Sequence, residues 1–385
     1  MQAKANRILF VVNHATFFVS HRLPIAMAAR DSGYDVHVAL PLHDGNRQED
    51  IKRLESTGLP LHHVPFTGQN ANPVVEAGTF IALLRVYSSV RPDILHHITI
   101  KPMIYGSLAA RLAGITNIVN AVPGLGYVFL ARGGIAALRR RLVLLAYRVA
   151  LSGRNTRVIV QNPDDAEFLV SRCGLDAARI RLIRGSGVDL QAFNFSDEPD
   201  GIPVVLLASR MLFDKGILEF VGAAKALKQQ GFSARFLLVG EPDEGNPASV
   251  TTEQLGAWNR AGAIEWNGPR KDMPQAMREA NIVCLPSYRE GLPKVLLEAM
   301  ATGRAIVTTD VPGCRETVTE GLNGLLVPPR DPVALARAIG TLLEDPQRRR
   351  EMGSVGRARA QSDFGMDGVI AATLSIYREF AQNQL

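Results

Sequence analysis

Short apolar runs alternate with longer stretches in which apolar residues return every three or four positions, and the alternation persists along the whole chain. RILFVV (7–12) is a compact run of the kind found in a parallel strand covered on both faces. HRLPIAMAARDSG follows with helical spacing, and Gly33 is placed to stop it. YDVHVALP reads as the next strand. The same order recurs through PDILHHIT (92–99), YGSLAARLAG (105–114) and TNIVNAV (116–122), and TRVIVQN (156–162) and ARIRLIRGSGVD (178–189) close the first half.

The polar, Pro/Gly-rich DEPDGIP (197–203) is the best linker candidate. Beyond it the alternation restarts. PVVLLAS (203–209), ARFLLVG (234–240), NIVCLPS (281–287), RAIVTTD (304–310) and NGLLVPP (323–329) read as strands, separated by helical stretches such as ILEFVGAAKALKQQG and DPVALARAIGTLLED. This predicts an α/β chain of two Rossmann-like domains, each a doubly wound parallel sheet, facing a cleft, with ligands at the carboxyl ends of the strands. The expected boundaries are 1–195 and 203–363, with a helix over 364–385 packing back on the first domain.

REGLPKVLLEAMATG (289–303) carries an acid at each end of an apolar stretch. On one helix, Glu290 and Glu298 would stand about 80° apart around the axis and share a face poorly. Glu290 therefore belongs to a loop and Glu298 to the helix that follows, with Pro293 in its first turn. Gly291 lets the backbone come close to a ligand, and the helix start offers N–H groups to an anion. An anionic centre flanked by acids that can hold hydroxyl groups suggests a nucleotide-sugar. ASRMLFDKG adds two cations after a buried strand: Arg210, and Lys215 just before Gly216 and a helix. Both suit a diphosphate.

These blocks, with NGLLVPPRD and LIRGSGVDLQAF (182–193), resemble the signatures of glycosyltransferase family four, the retaining enzymes of GT-B fold. The E-x7-E pattern is met by Glu290 and Glu298, and Ser186 stands where an Asn is more usual. The resemblance implies that Arg210 and Lys215 grip the diphosphate and that Glu298 binds the ribose. Glu290 and the backbone at Gly291, Leu292 and Lys294 would line the sugar and distal phosphate, with Arg270 of WNGPRKDMP near the base. It also implies no metal and no cofactor. FFVSHRLPIAMAARDSGYDVHV, HHITIKPMIYGSLAARLAG and NAVPGLGYVF are similar to a narrower group of bacterial transferases that extend a sugar on undecaprenyl diphosphate, for O-antigen, capsule or protein-linked glycans. Many family members have a His that contacts the donor sugar where this chain has Pro123, before Gly124. That role is empty or moved to His97 or Lys101, and His14 and His21 are further candidates. GLG (124–126) lacks the third Gly of a dinucleotide fingerprint.

Charge sharpens the picture. The chain is +6 overall, yet Ile94–Pro163 holds nine basic residues and no acid, so the remainder is slightly acidic. Within this tract, 135–154 has apolar residues at 138, 142, 145, 146 and 149, with Arg139, Arg140, Arg141 and Arg148 around them. Two readings stand: a core helix with a solvated basic face, or a helix lying on an anionic membrane that recruits a lipid diphosphate. Nucleic acid is not expected, since no aromatic platform accompanies the arginines.

Composition is that of a globular chain, 46% hydrophobic and 21% charged, with no apolar run of the ~18 residues a spanning helix needs. The first apolar run is too short for a signal peptide. Cys173, Cys284 and Cys314 lie far apart and suggest neither a metal site nor a disulfide framework. PDDAE (163–167) sits at a helix start, where capping is its expected use. The expected protein is cytoplasmic, peripheral on the inner face of the plasma membrane. It would move a sugar (GalNAc, GlcNAc or Gal) from an NDP donor, with UDP the expected nucleotide, to a polyprenyl-diphosphate sugar. A nucleotide-sugar epimerase of the same architecture and a non-catalytic sugar- or nucleic-acid-binding protein are the alternatives.

Overall fold

The computed structural model describes residues 6–42, 48–66, 72–124, 134–243 and 246–382. The chain forms two compact units, Met1–Ser186 with Val369–Leu385, and Gly187–Gly368.

The first unit alternates strands with helices, two of them between its first pair of strands. It runs β1 (Arg7–Val12), α1 (Ala15–His21), α2 (Leu23–Asp31), β2 (Asp35–Leu40), α3 (Gln48–Glu55), β3 (Leu61–His63), α4 (Pro73–Val90), β4 (Ile94–Ile98), α5 (Ile100–Leu112), β5 (Ile118–Val122), α6 (Gly134–Leu151), β6 (Thr156–Val160), α7 (Pro163–Cys173) and β7 (Ile180–Leu182). The strands are parallel, in the order β3-β2-β1-β4-β5-β6-β7. Helices cover both faces, which is why β1, β4 and β5 are buried on both sides, including the polar His96, His97 and Asn120.

HRLPIAMAARDSG is not one helix. Pro24 occupies the first turn of α2, so the chain breaks at Arg22, which is itself buried. PDDAE does open a helix, but the cap is Asn162, whose side chain accepts from the Asp165 N–H. In α4 the only charges among 18 residues are Glu76 and Arg85, so by composition it is long and apolar enough to cross a membrane. Thr79, Leu83, Tyr87 and Val90 nevertheless bury one stripe of it, as in an amphipathic helix against a sheet.

The second unit runs β8 (Val204–Ala208), α8 (Ile217–Gln229), β9 (Arg235–Val239), α9 (Thr252–Arg260), β10 (Glu265–Trp266), α10 (Met273–Arg278), β11 (Ile282–Leu285), α11 (Lys294–Thr302), β12 (Ala305–Thr309), β13 (Gly324–Val327), α12 (Pro332–Glu344) and α13 (Pro346–Asp363). Its parallel sheet has the order β10-β9-β8-β11-β12-β13. Then α14 (Met366–Gln382) joins the first unit. Val369, Ile376, Tyr377 and Phe380 enter the core around β1 and β2, and Glu379 pairs with Arg157 at 2.9 Å and Arg181 at 3.0 Å.

The division between units falls at Ser186/Gly187, earlier than the 195/203 boundary read from the sequence. The expected linker is strapped into the second unit. Arg304 donates to the Ser196 hydroxyl and, at 3.0 Å, to the Asp197 carbonyl, and Arg349 pairs with Glu198 at 2.5 Å out of solvent. Asn281 holds Glu198 and the Pro199 carbonyl. Polar composition signalled a loop, but the side chains that bind it, Asn281, Arg304 and Arg349, lie about 80 to 150 residues later.

Candidate active site

In the second sheet the strand order reverses between β8 and β11, and the crevice outside their carboxyl ends is where such folds take ligands. Arg210 lies just past β8. Lys215 closes a single 3-10 turn, Phe213–Lys215, and Gly216 then starts α8 in the left-handed region, φ 73°. Past β11, Pro286–Pro293 forms a loop and α11 begins at Lys294. Neither α8 nor α11 has a side-chain cap.

Lys215 Nζ meets Glu290 Oε1 at 2.5 Å, with both side chains largely buried. The Ser287 hydroxyl donates to the same oxygen at 2.7 Å. Thr309 on β12 donates to the Ser287 carbonyl, and the Glu290 N–H donates to the Pro312 carbonyl at 3.1 Å. Packing leaves the loop little room. A Cβ on Gly216 would stand 2.2 Å from the Pro286 oxygen, and one on Gly313 (φ +83°) would stand 2.5 Å from the carbonyl oxygens of both Glu290 and Gly291. Burial raises the Asp214 carboxyl, partly offset by Lys215, with Glu290 raising it and Arg210 lowering it. All three charges therefore act on one neighbourhood. Arg210 is half-exposed and pairs with Asp243 at 2.7 Å.

Glu298 sits mid-helix on α11 and is buried, and desolvation pushes its carboxyl up to about 7 although Lys294 lies 3.6 Å away. Glu290 in a loop and Glu298 on a helix is the arrangement that their spacing suggested. The Leu292 side chain packs into the apolar core of the unit, so any ligand contact there falls to its backbone. Arg270 does not join this group. Its guanidinium is held by Asp272 at 2.6 Å and Glu279 at 2.5 Å, beyond the edge strand β10.

His97 belongs to the other unit and to its core. It is fully buried; Nδ1 donates to Asn120 Oδ1 at 2.9 Å and Nε2 accepts from the Tyr87 hydroxyl at 2.9 Å. Burial drops its imidazole to about 4, so it is neutral and sealed from any donor. The site reading of His97 is therefore withdrawn: β4 turns this side chain into the helix layer, where Gly106 of α5 approaches its ring. His21 stacks on Phe17 and shares a hydrogen bond with Ser20 at 2.7 Å. Leu125 and Gly126 of GLG and the Arg139 side chain lie outside the described residues. Among the described residues no cluster of metal-ligating side chains occurs.

Sequence reasoning passed over Ser287, Tyr288 and Glu219, which brace the Glu290 loop. The spacing Ser287-x-x-Glu290 was the sole trace of the first, and nothing in the sequence marked the others.

On α6, Tyr147, Ala150 and Leu151 face inward. The stripe read as apolar from the sequence points outward: Leu142 is 59% exposed, Leu145 57%, and Val149 is exposed too. Arg141 and Arg148 fall on the same side of the helix at 3.6 residues per turn, and both are exposed.

Two family models match the chain: "Glycosyl transferases group 1" over residues 202–345 and "Glycosyl transferase 4-like" over residues 7–162. The chain is 31% identical over 352 residues to the N,N'-diacetylbacillosaminyl-diphospho-undecaprenol alpha-1,3-N-acetylgalactosaminyltransferase of Campylobacter jejuni, covering 88% of this chain and 90% of that one. It is 25% identical over 296 residues, 73% of this chain and 74% of the relative, to the UDP-Gal:alpha-D-GlcNAc-diphosphoundecaprenol alpha-1,3-galactosyltransferase of Escherichia coli. Among solved structures, sucrose-phosphate synthase from Thermosynechococcus elongatus superposes with a TM-score of 0.80 at 21% identity, covering 98% of this chain and all of that one. Anabaena HepE in complex with UDP-glucose gives 0.74 at 21% identity, covering 96% and 99%. At such identities these two structures speak to the fold alone.

Proposed function

The chain belongs to the group 1 glycosyl transferases, and on that premise we propose that it moves a sugar from a UDP-linked donor to a sugar carried on a polyprenyl diphosphate. N-acetylgalactosamine, N-acetylglucosamine and galactose are the candidate sugars. The acceptor class rests on the Campylobacter and Escherichia relatives, whose names specify diphospho-undecaprenol-linked substrates. The observation that carries the donor assignment is the Lys215–Glu290 pair beside Arg210, at the carboxyl ends of β8 and β11.

In this reading Arg210 and Lys215 exchange their carboxylate partners for the donor diphosphate and stabilise the charge that develops on it as the sugar leaves. Glu298 accepts from the ribose hydroxyls, and Glu290 with the Gly291 backbone lines the sugar. The Glu290 carboxylate is already engaged by an ammonium and a hydroxyl, which suits a positioning role better than that of an attacking nucleophile. Transfer then proceeds on one face of the sugar with retention, the departing phosphate accepting the acceptor's proton, and positioning supplies much of the rate. The two cations provide the electrostatic stabilisation without a metal.

The acceptor's lipid tail requires a membrane nearby. The exposed leucines of α6, flanked by Arg140, Arg141 and Arg148, suit peripheral contact with an anionic leaflet at the inner face of the plasma membrane.

The test is incubation of the purified chain with a panel of UDP-sugars and an undecaprenyl-diphosphate sugar, with and without EDTA. The expected result is UDP release that requires the acceptor, an α-linked product by NMR, and no loss with chelator. Isomerised donor without acceptor would point to an epimerase, and an unturned-over donor would remove the enzyme reading.

A further inference from the structure

Tyr288, two residues before Glu290, is tied to three separate elements. Its N–H donates to the Asp214 carbonyl at 2.9 Å, in the turn that ends with Lys215. Its hydroxyl donates to Glu219 Oε1 at 2.7 Å, in the first turn of α8. The Arg330 guanidinium lies 4.1 Å from its ring centroid.

Each tie has a physical reason to persist. Glu219 is buried, and its other oxygen, Oε2, has no hydrogen-bond partner among the described residues. A buried carboxylate left bare is expensive, so the Tyr288 hydroxyl is firmly held by it. Arg330 sits in the left-handed region at φ 64°, rare for a residue with a side chain, between β13 and α12. Its guanidinium over the Tyr288 ring is a cation–π contact. The phenol is spent on Glu219 and does not reach toward a substrate.

We propose that Tyr288, pinned by Glu219 and covered by Arg330, is a positioning residue that holds the Glu290 carboxylate against Lys215 for sugar transfer. The proposal rests on the reading of this crevice as the donor site. Without the pin, the loop of Glu290 and the turn of Lys215 keep the Tyr288 N–H bond to Asp214 and the Lys215–Glu290 pair itself, and lose the brace that ties the loop to α8.

The experiment uses the full chain, a UDP-sugar and a lipid-diphosphate acceptor. Tyr288→Phe keeps the ring under Arg330 and removes the bond to Glu219. It is expected to lower kcat roughly ten-fold with donor and acceptor KM within about two-fold, as for an interaction realised in the transition state. Glu219→Leu should match it, whereas Glu219→Gln, which still offers the phenol an acceptor, should keep most of the activity. Arg330→Ala should lower kcat alone but add nothing in a Tyr288→Leu background, since it acts only through the ring. Additive losses in that cycle, or full kcat in Tyr288→Phe with only a lowered Tm, would overturn the proposal. Lys215→Ala, measured alongside, separates the two levels. If it retains wild-type activity the donor-site reading fails. If it is inactive while Tyr288→Phe is unimpaired, the positioning role alone fails.

Discussion

Lys215 Nζ and Glu290 Oε1 stand 2.5 Å apart, an ion pair joining the loop after β8 to the loop after β11. In the proposed donor site, the diphosphate would compete with that carboxylate for the ammonium. Lys215→Ala is expected to lower kcat/KM roughly 10²-fold, the scale of one lost charge-stabilising group. Glu290→Gln should separate binding from chemistry. UDP affinity by calorimetry should hold or rise, because Lys215 is released, while kcat falls. Weaker UDP binding by the Gln variant would mean the pair does not oppose the nucleotide.

Gly313→Ala tests the packing behind that loop. The backbone is left-handed there, and a Cβ would overlap the carbonyls of Glu290 and Gly291. Transfer is expected to be lost almost completely, with the far-UV spectrum of the chain retained. Wild-type rates would show that the Glu290 loop tolerates displacement.

Glu298 gives a pH signature. Burial raises its carboxyl from 4.5 to about 7, so the folded chain holds a proton that the unfolded chain has released between those values. Stability therefore falls as pH rises through that window. Donor affinity should move the other way, with KM falling between pH 6 and 8 as the carboxylate forms and accepts the ribose hydroxyls. Glu298→Gln should flatten both profiles. A donor KM in the Gln variant equal to wild type at pH 8 would remove Glu298 from the site.

His97 carries the opposite slope. Its imidazole is lowered from 6.5 to about 4, so the unfolded chain binds the extra proton, and the stability contributed by the neutral ring is lost as pH falls from about 6.5 toward 4. The unfolding midpoint of wild type should drop more between pH 7 and 5 than that of His97→Gln, with donor KM the same for both. A large rise in donor KM would return His97 to the donor site.

The outer face of α6 predicts salt-sensitive attachment. Wild type should co-sediment with anionic liposomes at low salt and release as screening shortens to about 8 Å at physiological ionic strength. Arg139, Arg140 and Arg141→Gln should abolish binding, since each basic residue near such a surface contributes about 1 kcal/mol. Leu142→Ser with Leu145→Ser should weaken it at every salt concentration. Transfer to a long-chain acceptor in vesicles should fall in both variants while a short soluble acceptor is used normally. Equal loss on both acceptors would make α6 part of the fold or the catalytic centre.

Much of this was legible in the sequence. Strands of a doubly covered parallel sheet are largely apolar runs, so β1, β8 and β11 announce themselves, and β4 and β12 do so despite their His and Thr pairs, whereas β3 and β10, three and two residues long, are too short to show a period. The loop placement of Glu290 and the helical placement of Glu298 followed from eight residues of spacing around a helix, and the cations Arg210 and Lys215 followed from position after a buried run. Tertiary structure decided the rest, because contact across elements has no local sequence trace. Strand position alone left His97 a ligand candidate, and packing against Tyr87 and Asn120 made it core. Periodicity showed that α6 has an apolar stripe but not which stripe the sheet covers, and the covered one runs through Tyr147 and Leu151. The brace on the Glu290 loop joins Glu219, Tyr288 and Arg330, whose hydroxyl bond and ring contact exist only because parallel strands bring the start of α8, the β11 loop and the end of β13 to the carboxyl end of the sheet.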